Sequence, residues 1–219
     1  MKPRRFCLHS LSTSNGSTAI LAASFLHSRP RFVSTVQYRV KGTAPDTWPA
    51  FELHGQVHTF SHLDPRSRVI SIGATAKQPA RDITIETTFG HHCFSRGLAD
   101  GETIDPAELM AIGRETRVFC PRRYALSIDL PALTDSLETR PCYHSGAGRG
   151  NYFIVKVGTG SAPPVDYCVY FRCRPIAQAV RVHVESAYER ADRPHRRAPK
   201  IGFALLAAKT LAGEDVRRP

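Results

Sequence analysis

Strict alternation of apolar and polar residues marks the last third of the chain. Val180, Val182 and Val184 alternate with Arg181, His183 and Glu185. Successive side chains of a strand point to opposite faces, so this run predicts a strand with its valines in the core. Residues 152–157 and 167–173 are rich in Val, Tyr and Phe, as is 180–188, and all are bounded by Gly or Pro clusters. The three read as consecutive antiparallel strands, the last two joined by a hairpin-sized link over 174–179.

Weaker signals precede them. In FELHGQVHTF, residues 51–60, Phe51, Leu53 and Val57 alternate with Glu52, His54, Gln56 and His58, which predicts one half-buried strand. Its expected partner lies around 32–40, across the turn-forming KGTAPDTWP. Ile83, Ile85, Thr87 and Phe89 form another period-two run, which Gly90 is expected to end, and 69–75 is a further strand weakened by Gly73. Asp105, Pro106 and Glu108 stand where an N-cap, a first helical residue and a capping-box partner belong, predicting a short helix. Leu126, Leu130, Leu133 and Leu137 recur at helical spacing around a second helix starting at Asp129, with Pro131 in its first turn. IGFALLAAKTLAG reads as a largely apolar terminal helix closed by Gly213. Strands outnumber helices and do not alternate with them. The fold class expected is therefore α+β: a single domain over 33–219, on a mainly antiparallel sheet with two or three helices.

Composition narrows the picture without naming a function. At 219 residues, 42% apolar and 22% charged, the chain can build its own core, and its Gly, Pro and Cys usage excludes collagen, coiled-coil and disulfide-knot classes. The net charge of +11 is uneven: no acidic residue precedes Asp46, while Lys2, Arg4, Arg5, Arg29, Arg31, Arg39 and Lys41 all do, leaving 23 basic against 19 acidic groups beyond them. Residues 1–32 are Ser-rich, Arg-bearing and acid-free, the composition of a disordered basic extension or a transit peptide. Cytoplasmic residence is the expectation, with organelle import if that segment is a transit peptide. The apolar run over 19–26 is too short to span a bilayer.

Several chemistries can be weighed against one another. Six Cys and several His supply zinc-type donors, yet no C-x2-C pair occurs, and His54 and His58 would lie about 13 Å apart on a straight strand. No metal or cofactor site is expected on spacing. His91-His92-Cys93 is a nucleophile-like cluster after a strand end, but alternation turns only one imidazole toward the sulfur and nothing marks an oxyanion hole, so a packed cysteine is expected. The glycines of SGAGRGN, residues 145–151, lead into a strand, which removes the helix N-terminus a phosphate loop needs.

The hairpin face carries more. If the valines turn inward, Arg181, His183 and Glu185 line the opposite face at about 6.6 Å intervals, beside Cys168, Tyr170 and Arg172 of the partner strand. The leading expectation is a non-catalytic domain binding nucleic acid, RNA more than DNA, or a protein partner. Tyr170, Arg172 and Arg181 would form its contact surface, joined by Arg193, Arg196 and Arg197 of the following linker. The alternative is a metal-independent endoribonuclease, with His183 and Glu185 as the acid–base pair and the arginines clamping phosphate. Against both stands the ordinary use of such a face, cross-strand ion pairs in water.

Overall fold

Residues 47–74, 79–144, 151–159, 162–190 and 199–214 are described by the computed structural model, with side chains outside 151–164. The expected extension over 1–32, the strand around 32–40, the loop over 145–150 and the linker arginines Arg193, Arg196 and Arg197 lie outside the described residues.

Along the chain come β1 (Phe51–Leu53), β2 (Gln56–His58), β3 (Arg66–Ile72), β4 (Arg81–His92), β5 (Ser95–Arg96), β6 (Leu109–Ile112) and β7 (Glu115–Phe119). Two short helices follow, α1 (Pro121–Ser127) and α2 (Leu130–Asp135), then β8 (Pro141–His144), β9 (Asn151–Thr159), β10 (Ala162–Ile176), β11 (Ala179–Glu189), β12 (Lys200–Gly202) and α3 (Phe203–Leu211). Among the described residues the strands make a seven-stranded sheet of order β12-β8-β9-β10-β11-β4-β3, a three-stranded sheet β5-β7-β6 and the β1–β2 hairpin. The fold is α+β. Strands β9, β10 and β11 are consecutive and antiparallel as alternation requires, while β11 also pairs with β4 in parallel, making the sheet mixed. Among the described residues, no helix is long and apolar enough to cross a membrane.

The valines settle the sheet's orientation. Val180, Val182 and Val184 are wholly buried, with Val169 and Phe171 beside them, and each such burial contributes about 1.5–3 kcal/mol. Helix α3 packs on this inner face against β3, β10 and β11, bringing Phe203 to 6.5 Å from the Phe171 ring and burying Leu206 and Ala207. A second, aromatic part of the core joins Trp48, Phe60, Phe94, Phe119 and Tyr124, linking β1, β2 and α1 to the smaller sheet.

Four expectations need correction. The strand over 51–60 is a tight hairpin, because His54 and Gly55 both take positive φ (50° and 79°), the two-residue geometry that matches strand twist. The reversal leaves Val57 60% exposed and buries His58 against the Phe119 and Tyr124 rings. Asp105 does accept a hydrogen bond from the Ala107 amide at 2.9 Å, but only one 3-10 turn follows. Met110 and Ile112 then enter the core at period two as β6 pairs with β7, so sheet pairing overrides the cap. The helix expected from Asp129 is present with Asp129 as its N-cap residue, but the leucine repeat is divided: Leu126 is in α1, Leu130 and Leu133 are in α2, and Leu137 opens a 3-10 turn; all four are buried. Finally, β4 runs through Gly90 to His92. A Cβ on Gly90 would lie 3.0 Å and 3.2 Å from the Glu185 and Val184 carbonyl oxygens, so glycine here permits close strand approach.

Candidate functional site

The outer face of β10 and β11 presents the predicted polar set. Arg172 stands opposite His183, and Arg174 opposite Arg181, in the cross-strand register. Arg172 Nε lies 2.8 Å from Glu185 Oε1, and Arg181 donates to Glu86 Oε2 of β4 at 3.2 Å. Thr88 Oγ1 is 2.9 Å from His183 Nδ1. Partial burial holds the His183 pKa below its ordinary value; Glu185 opposes that shift, while Arg174, Arg172 and Arg181 add to it. At the far end Tyr170 and Tyr188 stack at 5.5 Å, Arg190 donates to the Tyr170 hydroxyl at 3.3 Å, and Arg123 lies over the Tyr188 ring at 4.8 Å. Cys168, expected on this open face, is fully buried, with Tyr188 as its cross-strand neighbour.

Irregular pairing links this face to a second cluster. Glu185 is an extra residue between the Phe171↔Val184 and Tyr170↔Ser186 pairs. On the other side, Gly90 and His91 stand opposite the single residue Glu185 between Val184↔Phe89 and Ser186↔His92, so β4 carries one extra residue. Aligned irregularities of this kind re-aim side chains at the end of a strand. They bring His91 and His92, adjacent in sequence, to a ring separation of 4.3 Å, where regular alternation would send them to opposite faces. Glu115, at the start of β7, leans toward both: its Oε2 is 3.4 Å from His91 Nε2, 3.9 Å from His92 Nε2 and 3.7 Å from Arg117.

The backbone beneath these histidines is pinned from several sides. The Cys93 amide donates to Gly90 O and the Phe94 amide to His91 O; Ser95 Oγ also donates to His91 O, at 2.8 Å. Arg123 of α1 donates to His92 O at 3.1 Å and to Ser95 O at 2.7 Å. Burial lowers the pKa values of both histidines, that of His92 to about 4, with His91 and Arg117 next among its causes. Both are therefore neutral near pH 7, with a ring nitrogen lone pair to offer. Cys93 cannot serve as a nucleophile here: it is fully buried, its thiol faces the Val184 carbonyl at 3.8 Å, and burial pushes its pKa up to about 12.

His183, Glu185, Arg172 and Arg181 thus share one face with Tyr170, as alternation implies. Glu115, Arg117 and Arg123 escaped sequence reasoning. Glu115 opens a separate hairpin and the two arginines follow in β7 and α1, so no linear spacing connects them to the histidines.

Comparison with known proteins adds a family. Protein YjaZ of Escherichia coli (strain K12) is 25% identical over 167 residues, covering 75% of this chain and 90% of that protein. No solved structure matches the chain. The family model matches residues 50–211, a span running from β1 through α3 and containing both clusters, and the chain belongs to the YjaZ family.

Proposed function

We propose that this protein binds single-stranded nucleic acid, RNA in preference to DNA, through the outer face of β4, β10 and β11 without cleaving it. The observation that carries the reading is the direct cross-strand opposition of Arg174 and Arg181, next to the Arg172–His183 pair. Like charges placed opposite each other destabilise a sheet, and a bound phosphate backbone offsets that cost. Glu86 and Glu185 engage Arg181 and Arg172, and Arg174 adds a further cation beside them. Half-buried Tyr170 lies at the end of the same face, its ring stacked on Tyr188 and its hydroxyl held by Arg190, an aromatic pair against which a base can pack. Arg193, Arg196 and Arg197 of the adjoining segment extend the charge in sequence. Cleavage would require more: His183 Nδ1 is engaged by Thr88 and Glu185 by Arg172, so acid–base work needs both released, whereas binding needs neither.

The test is fluorescence anisotropy with a labelled single-stranded RNA of mixed sequence at stepped salt concentrations. Affinity should fall steeply with salt, and Arg174→Glu and Arg181→Glu should each weaken binding roughly tenfold or more. No binding at low ionic strength disposes of the proposal. EDTA-resistant cleavage that His183→Ala abolishes would move the conclusion to the endoribonuclease.

A further inference from the structure

The turn that closes β4 holds a set of donors that the nucleic-acid reading does not use. His91, His92 and Glu115 each present one ligand atom, all within 4.8 Å of one another. Ligands about 2.0–2.1 Å from a tetrahedral zinc ion lie about 3.3 Å apart along each edge. The 3.4 Å between His91 Nε2 and Glu115 Oε2 is that spacing, and the 3.9 Å to His92 Nε2 closes to it with a small ring rotation.

Three features separate this cluster from an ordinary surface ion pair. First, His91 Nε2 is a buried atom whose neighbouring carboxylate oxygen, Glu115 Oε2, stands 3.4 Å away, too long for a well-made hydrogen bond. A buried polar atom with only a long contact is costly, and a shared cation would satisfy both groups at once. Second, the two imidazoles are adjacent in sequence yet edge to face at 4.3 Å, through a distortion of β4 at Gly90, where a Cβ would press on the β11 carbonyls. Third, the carbonyls beneath them are fixed by Ser95 and Arg123, the kind of supporting shell that holds ligands in place before an ion arrives.

We propose that His91, His92 and Glu115 form a binding site for a divalent transition metal ion of the zinc class. Three protein ligands leave a fourth position for water or an exogenous group, the pattern of exchangeable rather than closed sites. Arg117 stands 3.7 Å from Glu115 on the same rim. Its charge competes with the ion, which weakens binding, and favours an anion at the open position. The site rests on different residues from the hairpin face, so either reading survives failure of the other.

The experiment uses the full chain, stripped with EDTA, desalted and titrated with Co2+ and then Zn2+. Expected are one ion per chain, a visible cobalt d–d spectrum without a sulfur-to-cobalt charge-transfer band, and displacement by Zn2+. Exposed Glu115 and half-exposed His92 are the positions to change. His92→Ala and Glu115→Ala, each shown to be folded by circular dichroism, should weaken Zn2+ binding by about 100-fold or more. Absence of saturable binding, a thiolate charge-transfer band, or affinity unchanged in both variants would overturn the proposal.

Discussion

Two stretches of polar residues border the same pair of strands and solve their electrostatics differently. Across the outer face of β10, β11 and β4, Arg172 meets Glu185 and Arg181 meets Glu86, all part-exposed, and His183 meets Thr88. Each group has a neighbour of its own. Where the pairing of β4 and β11 becomes irregular, two part-buried rings share one carboxylate, Glu115, whose Oε2 stands 3.4 Å and 3.9 Å from their Nε2 atoms. The backbone there is clamped by Arg123 and Ser95. Partners supplied within the sheet make a surface that is stable in water. A clamped backbone beneath two neutral imidazoles that share one carboxylate makes a surface prepared for something that is not protein. The regular face offers charge in bulk, and the irregular end offers geometry.

The clamp gives the largest test of that contrast. Arg123→Ala removes charged donors from the His92 and Ser95 carbonyls, 3.1 Å and 2.7 Å away, together with the cation over Tyr188 at 4.8 Å. Hydrogen bonds from a charged group contribute about 1.5–3 kcal/mol each and do not add fully, so a loss of about 3 kcal/mol is expected in urea unfolding. Amide exchange at Cys93 and Phe94 should accelerate more than exchange across β10. A loss under about 1 kcal/mol, with uniform exchange, would mean that the turn holds itself and the contrast is superficial.

Much of the regular face was legible because a period of two needs only local information. Val180, Val182 and Val184 fix the inner face, and Arg181, His183 and Glu185 follow by alternation. The same rule misread residues 51–60, where His54-Gly55 supplies a turn inside an apparently continuous pattern. It also could not find the histidine cluster. His91 and His92 converge only because Glu185 and Gly90 are accommodated out of register between strands far apart in sequence, and Glu115 arrives from another hairpin. Asp105 shows the opposite failure: a sound local cap is overruled by the pairing of β6 with β7. Local patterns declare which side of a strand faces water; long-range register decides which side chains meet there.

A smaller effect sharpens the description of the regular face. The Arg172 and Glu185 side chains retain 38% and 35% of their exposure, so solvent screens their attraction. A double-mutant cycle with Arg172→Ala and Glu185→Ala should return a coupling of no more than about 1 kcal/mol, shrinking in high salt. A coupling of several kcal/mol, insensitive to salt, would show a desolvated pair. The face would then resemble the clamped end more than a wetted sheet.

The smallest expected effect is the proton response of His183, and its sign discriminates between a wetted and a desolvated ring. Its folded-state pKa lies below the unfolded value of 6.5, chiefly because burial disfavours the charged ring. As pH falls through 6.5 the unfolded chain therefore takes up the proton first, and stability that is complete above that value is lost progressively toward the folded pKa. Facing the ring are Thr88 from β4, Arg172 and Arg174 from β10, and Arg181 and Glu185 from β11; Glu185 alone among them draws the pKa upward. His183→Gln removes the titration while keeping a polar group near Thr88. Urea midpoints followed from pH 7.5 to 5.5 should accordingly fall less in the variant than in the parent protein. A parent that instead gains stability on acidification relative to the variant would place the balance with Glu185, and the ring would be a charged member of the salt-bridge network rather than a neutral one set among arginines.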